Sequence, residues 1–122
     1  MAKLVVNKLN ELSGLKGTSY FRIFGQIVNY DFNKGTVVMK SLFDGTTCSV
    51  VLNIDTMKTA EKLQNGLVID IYVVRKLEND MSSTFLSELY FEILLYPEVL
   101  LQNKEVLQRV AELQDFKNVS TK

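Results

Sequence analysis

Apolar and polar residues alternate along residues 19–30. Phe21, Ile23, Gly25 and Ile27 fall on one side of an extended chain, and Tyr20, Arg22, Phe24 and Gln26 on the other. A period of two predicts a strand with one face in a core. The glycine in its middle predicts a bulge or tight bend, a device by which a small barrel turns a corner. DFNKG at 31–35 reads as a turn, and a second strand follows over 36–43. Asp44-Gly45 is a hairpin signal. It opens a third strand over 46–53, where Cys48, Val50 and Leu52 alternate with Ser49, Val51 and Asn53.

The period then changes. Residues 54–66 read as a helix, with Asp55 or Thr56 as cap, Met57, Ala60 and Leu63 on an apolar face, and Gly66 as terminator. A fourth strand over 67–77 turns Leu67, Ile69, Ile71 and Val73 to one side and Asp70, Tyr72 and Lys76 to the other. After a polar loop at 78–83, a fifth strand over 84–96 alternates Leu89, Phe91, Ile93 and Leu95 with Glu88, Tyr90, Glu92 and Leu94. The last pattern is helical, over 97–116. Pro97 suits a first helical position, Glu98 and Glu105 precede Arg109 in the order the helix dipole favours, and Glu105 and Arg109 make an i,i+4 pair. Val99, Val106, Val110 and Leu113 form an apolar stripe that Leu100 and Leu107 widen and Asn103 interrupts. At the other end, Leu4, Val5, Lys8, Leu9 and Leu12 recur at helical intervals, so residues 1–18 read as an arm or short amphipathic helix ending in the loop SGLKG.

Three strands, a helix, two strands and a terminal helix is the order of an OB-fold, a five-stranded, partly open β-barrel with helices. The first three strands are joined by turns too short for parallel crossovers. An α+β sheet of other connectivity is the alternative. The expected organisation is a single domain over 1–122, with the arm at 1–18, the barrel at 19–96 and the helix at 97–116.

At 122 residues, 47% hydrophobic and 23% charged, the chain is an ordinary globular domain that needs no staple to hold a core. Charge changes the picture more. Lys and Arg total 14, as do Asp and Glu, so the net charge is zero. Binding to phosphate backbones without help calls for a basic excess or stripe. A neutral chain must gather its cations on one face or act through a partner, and neutrality itself favours association. The lone Cys48 forms no internal disulfide, which fits an intracellular setting. The N-terminal residues lack a signal-peptide pattern, and no run approaches the roughly 18 apolar residues of a membrane span. The NVS at 118–120 matches a glycosylation sequon by chance in such a setting. GLKGTS at 14–19 has neither the spacing nor the strand-to-helix context of a phosphate loop.

Catalytic chemistry is sparse. The absence of histidine removes the commonest general base and metal ligand, and one cysteine makes no zinc site of the usual kind. Glu88 and Glu92 on one strand are about 13 Å apart, too wide for most acid–base pairs, and read as part of a solvated face. The expectation is a non-enzyme with no metal and no cofactor.

Two surfaces are candidates for binding. One is the outside of strands one to three with their loops, the region that takes oligonucleotides in many OB-folds. There Tyr30, Phe32 and Phe43, with Phe24, offer rings for stacking, and Lys34 and Lys40, with Arg22, offer cations. The other is the terminal helix, whose near-heptad spacing (99, 106, 113 and 103, 110) suits a partner helix, with Asn103 able to set its register.

The stretch FRIFGQIVNYDFNKGTVVM at 21–39 resembles the first two strands of the Ten-one family, the smallest subunits of the telomere-capping CST (Cdc-thirteen/Stn-one/Ten-one) complexes. The matching features are Arg22, Phe24, Gly25, Tyr30 and Asp31, followed by Val37 and Met39. The layout is also similar to the small subunit of replication protein A. The resemblance implies a one-to-one heterodimer with an OB-fold partner of the Stn-one type through the C-terminal helix. It implies a nuclear place at the telomeric chromosome end, a part in keeping telomere length, and weak or cooperative binding of single-stranded telomeric DNA. Carried over by position, Val99, Leu100, Val106, Leu107, Val110 and Leu113 face the partner, and Arg22 is a further contact. Tyr30, Phe32, Lys34, Lys40 and Phe43 are the weak nucleic-acid candidates. Since the chain lacks a dense basic stripe, DNA is expected to bind through the complex. The alternative is a free-standing single-stranded nucleic-acid-binding OB protein.

Overall fold

The computed structural model describes residues 2–14, 18–53, 63–77 and 84–120. Within them the elements are β1 (Lys3–Val5), a 3₁₀ helix (Leu9–Gly14), β2 (Ser19–Asp31), β3 (Thr36–Ser41), β4 (Thr47–Val51), β5 (Val68–Leu77), β6 (Thr84–Ile93), α1 (Pro97–Gln102) and α2 (Lys104–Ser120). The strand order is β1-β2-β3-β4-β6-β5, and β5 pairs back onto β2. That last pairing closes β2 to β6 into a ring, with β4 and β6 parallel through Val50↔Leu86 and Val51↔Ser87. The architecture is the OB-fold, extended by one strand and two helices.

The ring encloses the principal core. Phe21, Ile23 and Ile27 of β2, Val37 and Met39 of β3, Cys48 and Val50 of β4, and Ile69, Ile71 and Val73 of β5 pack there with Leu9, Leu12 and Leu86. Each fully buried aliphatic side chain contributes about 1.5–3 kcal/mol. A second cluster of Leu4, Val6, Phe24 and Phe43 lies on the other face of the sheet, where Leu94, Leu100, Leu107 and Ala111 pack against it.

The arm is neither free nor α-helical. Lys3–Val5 form a parallel strand on β2, with Leu4 opposite Arg22. The helical spacing fails because its donors are captured elsewhere. Lys8 takes the left-handed conformation, φ 59°, its N–H donates to Asp44 Oδ2 at 2.7 Å, and the Leu9 N–H donates to Thr46 Oγ1 at 2.8 Å. The β3–β4 hairpin thus stops the strand and starts the 3₁₀ turn.

Gly25 is not a bulge: it pairs in register with Ser41 on one side and Ile69 on the other. A β-carbon there would sit 2.8 Å from Met39 Cε and 3.3 Å from the Lys40 carbonyl oxygen, so the glycine permits close approach of β3. The bulge falls at Val28, between Ile27 and Asn29. A second register shift pairs Tyr72 with Tyr90 but Val73 with Glu88, leaving Leu89 as the extra residue. It inverts the expected alternation in the first half of β6. Glu88 turns inward and is buried, while Leu89 is exposed. Glu88 therefore belongs to no solvated face; it accepts from the Asn53 N–H at 3.3 Å and from Asn53 Nδ2 at 3.2 Å. The expected second, third and fifth strands end earlier, at Ser41, Val51 and Ile93. Of the helix expected at 54–66, residues 54–62 lie outside the described residues, as do the loops at 15–17 and 78–83. Residues 63–66 are not helical. Gly66 has φ 97° and donates its N–H to the Ile27 carbonyl at 2.7 Å, closing a turn onto β2.

Candidate partner-binding surface

The terminal helical pattern is broken in two. Pro97 opens α1, and Asn103 closes it with φ −106°. The Asn103 side chain donates through Nδ2 to the Val99 carbonyl at 2.9 Å, while its own carbonyl accepts from the Leu107 N–H at 3.1 Å. Its amide is committed to its own helix. The break in the helix is what the structure shows of Asn103.

The break and the helical period divide the apolar stripe. Leu100, Leu107 and Ala111 are partly buried and pack against the second cluster of the chain's own barrel, so less of Leu100 and Leu107 is left for a partner than of their exposed neighbours. Val106 and Val110 lie one position earlier than Leu107 and Ala111, a rotation of about 100°, and point away. Val106 is 61% and Leu113 60% exposed, and Val99, Leu101 and Val110 are exposed with them. Before α1, Leu95 and Tyr96 stand out further, at 79% and 69%. Neither Leu95 nor Tyr96 nor Leu101 was among the sequence candidates. The alternation that groups Leu95 with Leu89, Phe91 and Ile93 ends two residues before it, at Ile93.

Arg22 sits in a second constellation outside the barrel. Register places it opposite Tyr72, and Tyr72 opposite Tyr90. Its guanidinium makes a bidentate pair with Asp70, Nε to Oδ1 at 3.0 Å and Nη2 to Oδ2 at 2.8 Å. It lies 5.0 Å from the Phe24 ring centroid and 5.3 Å from that of Tyr72. The hydrogen bonds it donates to Asp70 raise the Arg22 pKa against the opposing effect of burial. Tyr90 packs 6.3 Å from Tyr72, centroid to centroid, and its hydroxyl donates to Glu92, an acceptor that raises the Tyr90 pKa. This is a cluster of one arginine and two tyrosines, the tyrosine rings tilted 44° to each other. With Asp70 and Glu92 beside it the cluster carries no excess of positive charge, so it suits a protein surface better than a phosphate backbone. Tyr and Arg are the residue types that dominate binding energy at protein interfaces. Tyr72 and Tyr90 were legible only as outward strand positions, since their alignment with Arg22 depends on pairing between distant strands.

The nucleic-acid candidates are not brought together. Phe43 and Phe24 are buried in the second cluster and are unavailable for stacking. Tyr30 is half-buried against the principal core, with its hydroxyl occluded and without a hydrogen-bond partner, and its ring meets Phe32 edge-on at 6.4 Å. Phe32 is exposed near Lys34 on the β2–β3 turn. Lys40 is exposed at the far end of β3, about 13 Å from the start of that strand. Between them the outer face of β3 and β4 pairs Thr36 with Val51, Val38 with Ser49 and Lys40 with Thr47. One cation and no aromatic occupy that face.

No family model matches the sequence, and comparison with curated proteins finds no match. Solved structures do match. A chain of the S. pombe Stn1–Ten1 complex superposes with a TM-score of 0.58 at 20% identity, covering 84% of this chain and 76% of that one. The likeness is one of fold. The telomere capping protein Ten1 from S. pombe superposes with a TM-score of 0.58 at 17% identity, over 94% of this chain and 99% of that one. Rim1, a mitochondrial single-stranded DNA-binding protein of S. cerevisiae, superposes with a TM-score of 0.53 at 10% identity, over 65% of this chain and 97% of that one. In its architecture the chain is an OB-fold similar to that of Ten1.

Proposed function

We propose that this chain is the small, non-catalytic subunit of a telomere-capping heterodimer. It pairs with an OB-fold partner of the Stn1 type and acts at nuclear chromosome ends. The observation that carries this reading is the stripe of Val99, Val106, Val110 and Leu113, exposed although the helices bearing it are already seated on their own barrel through Leu100, Leu107 and Ala111. A folded chain that buries one face of a helix and leaves a second apolar face in water has a partner for the second. Leu95, Tyr96 and the Arg22–Tyr72–Tyr90 cluster supply further anchors of the kind interfaces use. The net charge of zero and the polar, nearly uncharged outer face of β3 and β4 support DNA binding through the complex rather than by this subunit alone.

The test is co-purification from native extract, with mass spectrometry of the bound protein. Val106→Glu with Val110→Glu places carboxylates in the apolar contact. An unpaired buried carboxylate costs about 3 kcal/mol or more, roughly two orders of magnitude in affinity. The double variant is expected to fold and to lose its partner. Recovery of the same OB-fold partner by the double variant refutes the helix as interface.

A further inference from the structure

The inward face of β5 runs Ile69, Ile71, Val73 and then ends on a charge. Arg75, next in that set, is 2% exposed. Register puts it opposite Ser19 of β2 on one side and Leu86 of β6 on the other. Its guanidinium lies 5.8 Å from the Phe21 ring centroid, and Nη2 donates to Ser19 Oγ at 2.8 Å. Nε and Nη1 are occluded and have no hydrogen-bond partner, and no carboxylate among the described residues pairs with the group. Glu88 is also buried, opposite Val73, but its oxygens accept from Asn53. Arg22 makes the contrast plain. It has a bidentate acid and a raised pKa, whereas burial pulls the Arg75 pKa down. A buried cation without an anion costs the fold stability, and an arginine does not escape that cost by shedding its proton.

We infer that Arg75 and Ser19 form a binding site for a small oxyanion, of the carboxylate or phosphate class, inside this end of the barrel. The N–H groups of Nε and Nη1 are unused donors. The Ser19 hydroxyl accepts from Nη2 and has its own proton to donate to the same ion. Charge-assisted bonds from guanidinium to carboxylate or phosphate are among the strongest that side chains make. The start of β2 is the open side, with Thr18 exposed and Ser19 half-buried. Burial limits what reaches the group. A phosphodiester within a nucleic-acid strand carries a sugar on both sides and is too large, whereas an ion of a few atoms is not. The site stands apart from the partner reading, because Arg75 is on the inner face of the barrel and the helical stripe is on the outside.

The chain has three arginines, Arg22, Arg75 and Arg109, so a ¹H–¹⁵N spectrum of its arginine side chains holds three Nε signals, and Arg75→Met identifies one. Sodium phosphate and sodium acetate are titrated in turn into the full chain, at fixed pH and at an ionic strength held with sodium chloride. At least one of them is expected to shift the Arg75 Nε signal to saturation while that of Arg22, held by Asp70, stays in place. The thermal midpoint is expected to rise with it, by about 4 °C or more at about ten times the half-saturating concentration. Which ion acts distinguishes phosphate from carboxylate. Arg75→Met keeps an apolar stem without the charge and is expected to lose that rise. An Arg75 signal that neither ion moves, or one that drifts in proportion to concentration without saturating, overturns the inference. A rise of the same size in Arg75→Met overturns it too. If that variant does not fold, the wild-type titration decides alone.

Discussion

At Gly25 the neighbouring β3 crowds the place of a β-carbon. The Met39 thioether methyl can swing aside, but the Lys40 carbonyl, 3.3 Å from the ideal β-carbon position, is held by the sheet. Gly25→Ala is therefore expected to destabilise the barrel by about 1–2 kcal/mol, read from urea unfolding midpoints at unchanged m-value. Asp44 is a residue of the same kind, chosen by its neighbours. Burial works to raise its pKa, yet the N–H groups of Thr46 and Lys8 and the hydroxyls of Thr46 and Ser41 outweigh it, and the carboxyl ends below its ordinary 3.8. A depressed folded value means that the stabilisation is present above the unfolded pKa and is lost as pH falls through the folded one. The 3₁₀ turn at Lys8–Leu9 is expected to loosen below about pH 3.8. NMR shifts of the Lys8 and Thr46 amides should titrate together there, and Asp44→Asn should remove the transition.

The helices make a sharper case at the scale of the element. Leu107 and Val106 are adjacent in sequence and read alike as stripe residues, but one is seated on the barrel and the other is in water. Leu107→Glu is expected to lower the thermal midpoint of the isolated chain by about 2 kcal/mol equivalent or more, because the carboxylate meets Leu4, Phe24 and Phe43 with no partner. Leu113→Glu is expected to leave that midpoint within about 0.5 kcal/mol equivalent and to weaken partner binding instead. Thermal melts of both variants, beside co-purification, separate the two faces. The interruption at Asn103 makes this division possible. It ends α1 and restarts the helix, so that Leu100 and Leu107 reach the same cluster across the break.

For the whole molecule, the closed ring and the zero net charge act together. The barrel holds its core with its own residues and, among the described residues, the outer face of β3 and β4 presents no cationic track. Fluorescence titration of single-stranded telomeric DNA with the isolated chain is expected to give weak binding even at low salt. The partnered complex is expected to bind at least about tenfold more tightly, with a steeper salt dependence because it neutralises more phosphates. Tight, salt-sensitive binding by the chain alone would favour the free-standing single-stranded DNA-binding reading, the activity borne by the name of Rim1.

What the sequence determined by itself is what depends on near neighbours. The five ring strands follow from a period of two, and their inward sets in β2, β4 and β5 follow from it as well. The hairpin at Asp44-Gly45, the helical period after Pro97 and the neutrality of the chain are equally local facts. Tertiary structure decided the rest. It made a strand of a segment with helical spacing, because β2 offered an edge and Asp44 and Thr46 took the donors of Lys8 and Leu9. It turned Glu88 inward through an extra residue at Leu89. It chose which half of the terminal stripe stays in water, through packing between Leu4 near the start of the chain and Leu107 and Ala111 near its end. Periodicity names the face of an element, but only the partner that the fold brings to that face decides whether it is core or interface.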